Sequence, residues 1–268
     1  MFHLGGTDFP TTRDQLANAV GDGLRAFFTF PAEAQVVWIE GGEYPAFERV
    51  AIDLTGARAD ADRLPPEPRG VGPSRAGVSA AQLEVAGHPV YVREVAVELS
   101  LHAASARFNY DRDKNGRPLL VLEDARDGQI SIGVKKPDLE ALLLAAARQA
   151  AARQSVQISE GRLSLTQIND RSVAIEIRVK AKRLFVSAVV TVRGTLAVDD
   201  ALKATASGLA CAGEGMLGDM ACNFIRPHLQ KAEGRAFPLT ALSLGQVRLR
   251  DLRVSVGDSL SMTAAFGS

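Results

Sequence analysis

The chain has 268 residues, with 31 Lys+Arg balanced by 31 Asp+Glu, 46% hydrophobic residues and 23% charged ones. Balanced charge excludes the basic excess of a generic nucleic-acid binder, and the hydrophobic share excludes a disordered chain. Two cysteines and four scattered histidines are too few for a disulfide framework or a zinc module, so no metal or cofactor is expected.

The opening MFHLGGTDFPTTRDQ lacks a basic region followed by an apolar run, so no secretory signal is expected. A cytoplasmic chain, or one peripheral at the inner membrane, follows, unless the sequence is a mature exported form. The first helix follows Thr11-Thr12, with Asp14 in its first turn. Leu16, Val20, Leu24, Phe27 and Phe28 recur at helical spacing, and Phe30-Pro31 closes it. Val50, Ile52 and Leu54 then alternate with polar neighbours. Residues 63–76 (RLPPEPRGVGPSRA) read as a Pro/Gly-rich loop. Val95, Val97, Leu99 and Leu101 alternate with Glu94, Glu98 and Ser100.

Asp111, Asp113, Asn115 and Gly116 match the first half of a calcium loop, but Leu122 stands where its bidentate Glu should be. A polar hairpin turn is the competing reading. His88, before Pro89, is placed at a turn, and His102 at a strand end. The second helix opens at Pro137, Asp138 and Glu140 and runs to about Gln154. Residues 139–152 (LEALLLAAARQAAA) are its apolar body, broken by Arg148 and short of the roughly 20 residues a bilayer span needs.

Val173, Ile175, Ile177 and Val179 alternate with Glu176, Arg178 and Lys180, and the pattern continues through Val186, Ala188, Val190 and Val192. A period of two with charges on one side predicts antiparallel sheet with one wet face. The third helix covers residues 213–231, with Leu217, Met220, Phe224 and Leu229 placed on one side and Pro227 as a kink or restart. Gly213, Gly215 and Gly218 read as a helix start, since no Lys-Ser/Thr follows to make a phosphate loop. Cys211 and Cys222 would sit about 16 Å apart on one straight helix. A bridge needs Cys211 to precede the helix in a hairpin-like return, and buried free thiols are the expectation. Near the end, Val247 and Leu249 are odd-numbered while Leu252, Val254 and Val256 are even, so a bulge is expected near Arg250-Asp251. Arg248, Arg250 and Arg253 form a basic stripe that suits anionic headgroups.

Long bulged strands and few helices predict an α+β fold. In it, a long, highly curved antiparallel sheet wraps two or three apolar helices, as a single elongated domain over residues 1–268. Such a sheet leaves an apolar groove. The segment GEYPAFERVAIDLTG at 42–56, the helix DLEALLLAAAR, the strands VQISEGRLSLT, SVAIEIRVKA and FVSAVVTVRGTLAVDD, and the tail FPLTALSLGQVRLRDLRVSVGDSLSMTAAFG carry a resemblance. In their pattern and order, over residues 42–267, they are similar to the LmeA-like bacterial phospholipid-binding proteins. That resemblance implies the tubular lipid-binding (TULIP-like) fold shared with bactericidal permeability-increasing protein, and an acyl-chain groove. It supplies no fixed functional residues.

Groove lining is expected from Phe27, Phe28, Leu142, Leu143, Met216, Met220 and Phe224. Met and aromatic stripes fill cores and adaptable binding surfaces alike, and in a groove protein the ligand acts as a removable piece of core. No G-x-S-x-G, H-E-x-x-H or paired-carboxylate signature occurs, so binding rather than catalysis is expected. The expected partner is a phospholipid or other acyl-chain lipid, with peripheral membrane contact and oligomeric state left open and no nucleic acid. The rival is a structural or adaptor protein that binds another protein, its interior filled by its own helices.

Overall fold

The computed structural model describes residues 2–59, 70–71, 74–92, 94–152, 157–183, 186–199, 202–238 and 247–268. Strands hold 60% of the chain and helices 19%, so the fold is α+β with large antiparallel sheets. The chain divides into two compact units. Unit 1 comprises Met1–Gly133, Ala241–Asp251 and Thr263–Ser268, and unit 2 comprises Val134–Thr240 and Leu252–Met262.

Helix α1 (Arg13–Arg25) starts where Thr12 accepts a hydrogen bond from the Gln15 backbone N–H, and Gln15 Oε1 accepts in turn from the Thr11 backbone N–H at 2.9 Å. These reciprocal bonds satisfy donors that a helix start leaves free. The helix ends earlier than its apolar spacing suggested. Phe28 leaves it for β2 (Phe28–Thr29), because an aromatic, β-branched run prefers extended backbone. In unit 1, Leu16, Val20 and Leu24 of α1 are buried with Ile52 of β4 (Ala46–Asp53), Leu83 of β6 (Arg75–Val92) and Phe108 of β7 (Val95–Arg112). β8 (Pro118–Lys135) opens with five consecutive buried residues.

The remaining strands of this sheet are β1 (Phe2–His3), β3 (Val37–Glu40), β5 (Arg58–Ala59), β14 (Leu249–Val256) and β15 (Ser259–Phe266). Its path is β14-β15-β8-β7-β6-β4-β3, with β1, β2 and β5 off that path. The pairings β4·β6 and β5·β6 are parallel, which a wholly antiparallel expectation misses. A parallel return needs a long connection. The expected loop over 63–76 falls in that connection, and most of it lies outside the described residues.

Mid-strand changes of face are frequent. In β7 the buried positions are Leu101 and Ala103, then Ala106, Phe108 and Tyr110, and Ser105 between them has φ +49°. Its partner β6 switches at the same place, from Val78 and Ala80 to Leu83 and Val85. Register stays matched, with Ala80 opposite Ala106 and Leu83 opposite Ala103, so both strands turn over together. Asp127 in β8 and Asp251 in β14 also have positive φ, +49° and +50°, a conformation that Asp tolerates better than most residues. The expected phase slip at Arg250-Asp251 is therefore present, and Arg248, Arg250 and Arg253 are all exposed. His88 and His102 correct the sequence reading: both lie inside long strands, and His88 Nδ1 is 2.8 Å from Glu98 Oε2 across β6·β7.

The calcium half-motif is the hairpin between β7 and β8. Asp113 Oδ1 accepts the backbone N–H of Asn115 at 2.8 Å and of Arg117 at 2.9 Å, and Oδ2 accepts Arg117 Nε at 3.0 Å. Its carboxylate is spent on closing the turn, and Asp111 accepts the Arg112 backbone N–H. Desolvation pushes the Asp113 carboxyl up, but the backbone bonds from Arg117 and Asn115 and the Arg117 guanidinium together hold it below its ordinary value. The ionised form is thus favoured by folding. It contributes stability at neutral pH that is lost as pH falls through the lowered folded value. Asp113→Asn is expected to lower the Tm at pH 7, and melting curves should show the gap to wild type closing below about pH 4.

Candidate functional site

Unit 2 carries a five-stranded sheet built from β9 (Gln157–Asn169), β10 (Ser172–Arg183), β11 (Val186–Val198), β12 (Lys203–Glu214) and β13 (Ala236–Pro238), in the order β13-β12-β11-β10-β9. Two helices accompany it, α2 (Lys136–Ala152) and α3 (Gly215–Ala232). Antiparallel partners directly opposite each other point to one face. One row across the sheet is Gly161, Val179, Val190, Gly213, and the next is Leu163, Ile177, Val192, Cys211.

Both helices lie on the face these rows define. A side chain at Gly161 would meet Leu144 of α2, and one at Gly213 would meet the backbone of Gly218 in α3. The Gly-rich start of α3 is therefore explained by close helix–strand approach. No side-chain cap closes this N-terminus, where Glu214 is the N-cap residue.

The opposite face is wet. Arg193 Nε pairs with Glu176 Oε2 at 2.6 Å, Arg178 Nη2 with Glu214 Oε1 at 3.1 Å, and Lys180 Nζ with Glu160 Oε1 at 3.5 Å. All of these partners are substantially exposed, so the pairs serve solubility more than stability.

α3 is fixed to β12 at several points. Gly218 abuts Gly213. Cys211 and Cys222 form a disulfide with a Cα–Cα separation of 5.5 Å. Glu233, just past the helix, accepts the backbone N–H groups of Gly208 and Leu209 at 2.8 Å each. The bridge corrects the expectation of free thiols. Cys211 lies on the strand before the helix, and the sharp return at Gly215, φ +74°, folds α3 back over it. α2 packs on β9, where Glu140 Oε2 accepts the Leu163 backbone N–H at 2.9 Å. That bond occupies a donor of an edge strand that would otherwise be open to pairing.

α2 packs on β9, and α3 packs on β12 and β11, so β10 lies between the two helix seats. There the inner face is only half covered: Leu165, Ile175, Ile177, Val179, Val192 and Leu196 are all half-buried. A small cleft of about 10 Å³ opens at the α2 side, lined by Glu140, Leu143, Leu144, Gly161, Arg162, Leu163, Ile177 and Val179. The result is an apolar trough with one carboxylate already bonded to backbone.

The expected lining residues separate into three places. Leu143 lines the cleft. Leu142, Met216, Met220 and Phe224 are exposed on the two helices of unit 2. Phe27 and Phe28 belong to unit 1, where the His3 and Phe27 rings lie 5.5 Å apart and Phe28 packs against the core and Phe30. The third helix also differs from its expected face. Leu229 turns toward the sheet, while Met220 and Phe224 turn away, because at 100° per residue positions 220 and 229 are half a turn apart. The sequence reading missed Leu144, Leu163, Ile177 and Val179 as lining. Gly161, isolated within a strand pattern, was the available signal that something packs closely there.

Comparison with protein-family models, with curated proteins and with solved structures gives no match.

Proposed function

We propose that this chain binds a phospholipid or other acyl-chain lipid without catalysis, with an acyl segment lying in the trough of unit 2. The half-covered aliphatic row beside the α2 cleft carries this reading. Each methylene moved from water onto that row contributes about 0.8 kcal/mol before ordering costs. The finer fold assignment belongs to the same proposal: a strongly curved, TULIP-like sheet enclosing apolar helices, as in LmeA-like proteins. The long strands and the register shifts of β6·β7 between Ala76 and Ser79 and between Gly87 and Val90 support it, since bulges bend and twist strands. The disulfide supports the exported form of the chain, because such bridges persist in oxidising compartments.

Val179 is half-buried, lines the cleft and is remote from the wet face. Val179→Trp is expected to cover the cleft and the trough beside it and weaken uptake of a fluorescent fatty acid by about tenfold or more, with circular dichroism unchanged. Uptake equal to wild type would place the ligand elsewhere. One observation favours a second reading: the cleft holds about 10 Å³, far below the roughly 300–1,000 Å³ usual for ligand pockets. In that reading the chain is an adaptor that binds another protein through its sheet, and no lipid accompanies it.

A further inference from the structure

The geometry points to α3 as a membrane-docking element, whose outer ridge seats on an anionic lipid surface. Its inner face, Gly218, Cys222, Ile225 and Leu229, is turned to the sheet. The opposite ridge reads Met216, Met220, Phe224, Pro227 and Lys231, all within about 40° of one line along the helix. Met216 is 80% exposed, Met220 56% and Phe224 68%, which is an unusual concentration of large apolar groups in water. Helices that lie in a lipid interface have this composition: an apolar ridge with cations beside it.

Charge decides between occupants. Along the C-terminal half of α3, Arg226 and Lys231 are exposed. Glu233 is committed to β12 backbone and Glu214 to Arg178, which leaves Asp219, also exposed, as the nearby acid. A cationic end beside an apolar ridge complements anionic headgroups above acyl chains. It does not complement itself, so a second copy of this chain is the weaker occupant. The disulfide and the Glu233 bonds hold the helix on the sheet, so the ridge is presented without unfolding it. This docking is independent of whether the trough holds an acyl chain.

The test is flotation of the full chain with vesicles of phosphatidylglycerol mixed with phosphatidylcholine, and with vesicles of phosphatidylcholine alone. Wild type is expected to float with the mixed vesicles and much less with the neutral ones. The triple variant Met216→Gln, Met220→Gln, Phe224→Gln changes exposed positions only, so an unchanged melting curve is expected. Its partition should fall about tenfold or more. In a Phe224→Trp variant, the added fluorescence should shift to the blue and be quenched by brominated acyl chains. Fatty-acid uptake by the triple variant should stay at the wild-type level, which separates failure of docking from failure of the trough. Wild type that does not float, or a triple variant that floats equally, overturns the proposal. So does a wild type that is dimeric in solution and made monomeric by the three substitutions, since the ridge would then be a self-interface.

Discussion

Cys222→Ala is expected to lower stability by about 3 kcal/mol, concentrated in unit 2. The bridge spans a sequence separation of 11 residues, and loop-closure entropy for such a loop gives a loss of this size. Cys222 is 3% exposed, so the variant also leaves a small void under α3. The consequence is specific, because the bridge is the covalent one among the attachments between α3 and β12. Hydrogen exchange should quicken first across residues 203–232, while α1 and the unit 1 strands keep their protection. Reductant should reproduce the effect in wild type and leave the variant unchanged. An equal denaturation midpoint for wild type in oxidised and reduced form would show that the helix is held without the bridge.

Phe266→Ala is expected to cost about 3–5 kcal/mol, the range for removing a fully buried aromatic ring. Phe266 is 0% exposed and sits at the end of the final strand, where chain ends often fray. Its ring lies over Gly128 of β8, where any side chain would collide with it. Ala264, two residues earlier and on the same face, is buried with it. Urea denaturation measures the loss, and Gly128→Leu should destabilise the same place by overpacking. A change below about 1 kcal/mol for Phe266→Ala would mean that the C-terminal strand does not close the unit 1 core.

Much of the strand content was legible because period-two alternation survives wherever one face is wet, as in Val173–Val179 against Glu176, Arg178 and Lys180. The slip at Asp251 was legible for the same reason: a change of parity in the buried residues needs an extra residue. The changes of face at Ser105 and Asp127 were harder to see, since small residues such as Ala103, Ala104, Ala106 and Gly128 around them blur the pattern. Parallel pairing of β4 with β6 leaves no mark on alternation, and nothing local announces it.

The site was legible only in part. Apolar spacing of four residues marks a helix face, but does not say whether that face meets sheet or water. Met216, Met220 and Phe224 illustrate this, since the two small residues Gly218 and Cys222 won the packed side by letting the helix approach closely. Phe27 and Phe28 fell in a different unit from the helices they were grouped with, and hydrophobicity alone carries no information on that. The bridge depended on a return of the chain at Gly215, a tertiary feature that cysteine spacing leaves open.

Native mass spectrometry of the full chain, purified without detergent and followed by organic extraction, tests the lipid reading most directly. A stoichiometric phospholipid or fatty acid that leaves on unfolding, and is missing from Val179→Trp, is the predicted result. An apo mass for wild type that stays unchanged after incubation with phospholipid vesicles would contradict it and leave the adaptor reading in its place.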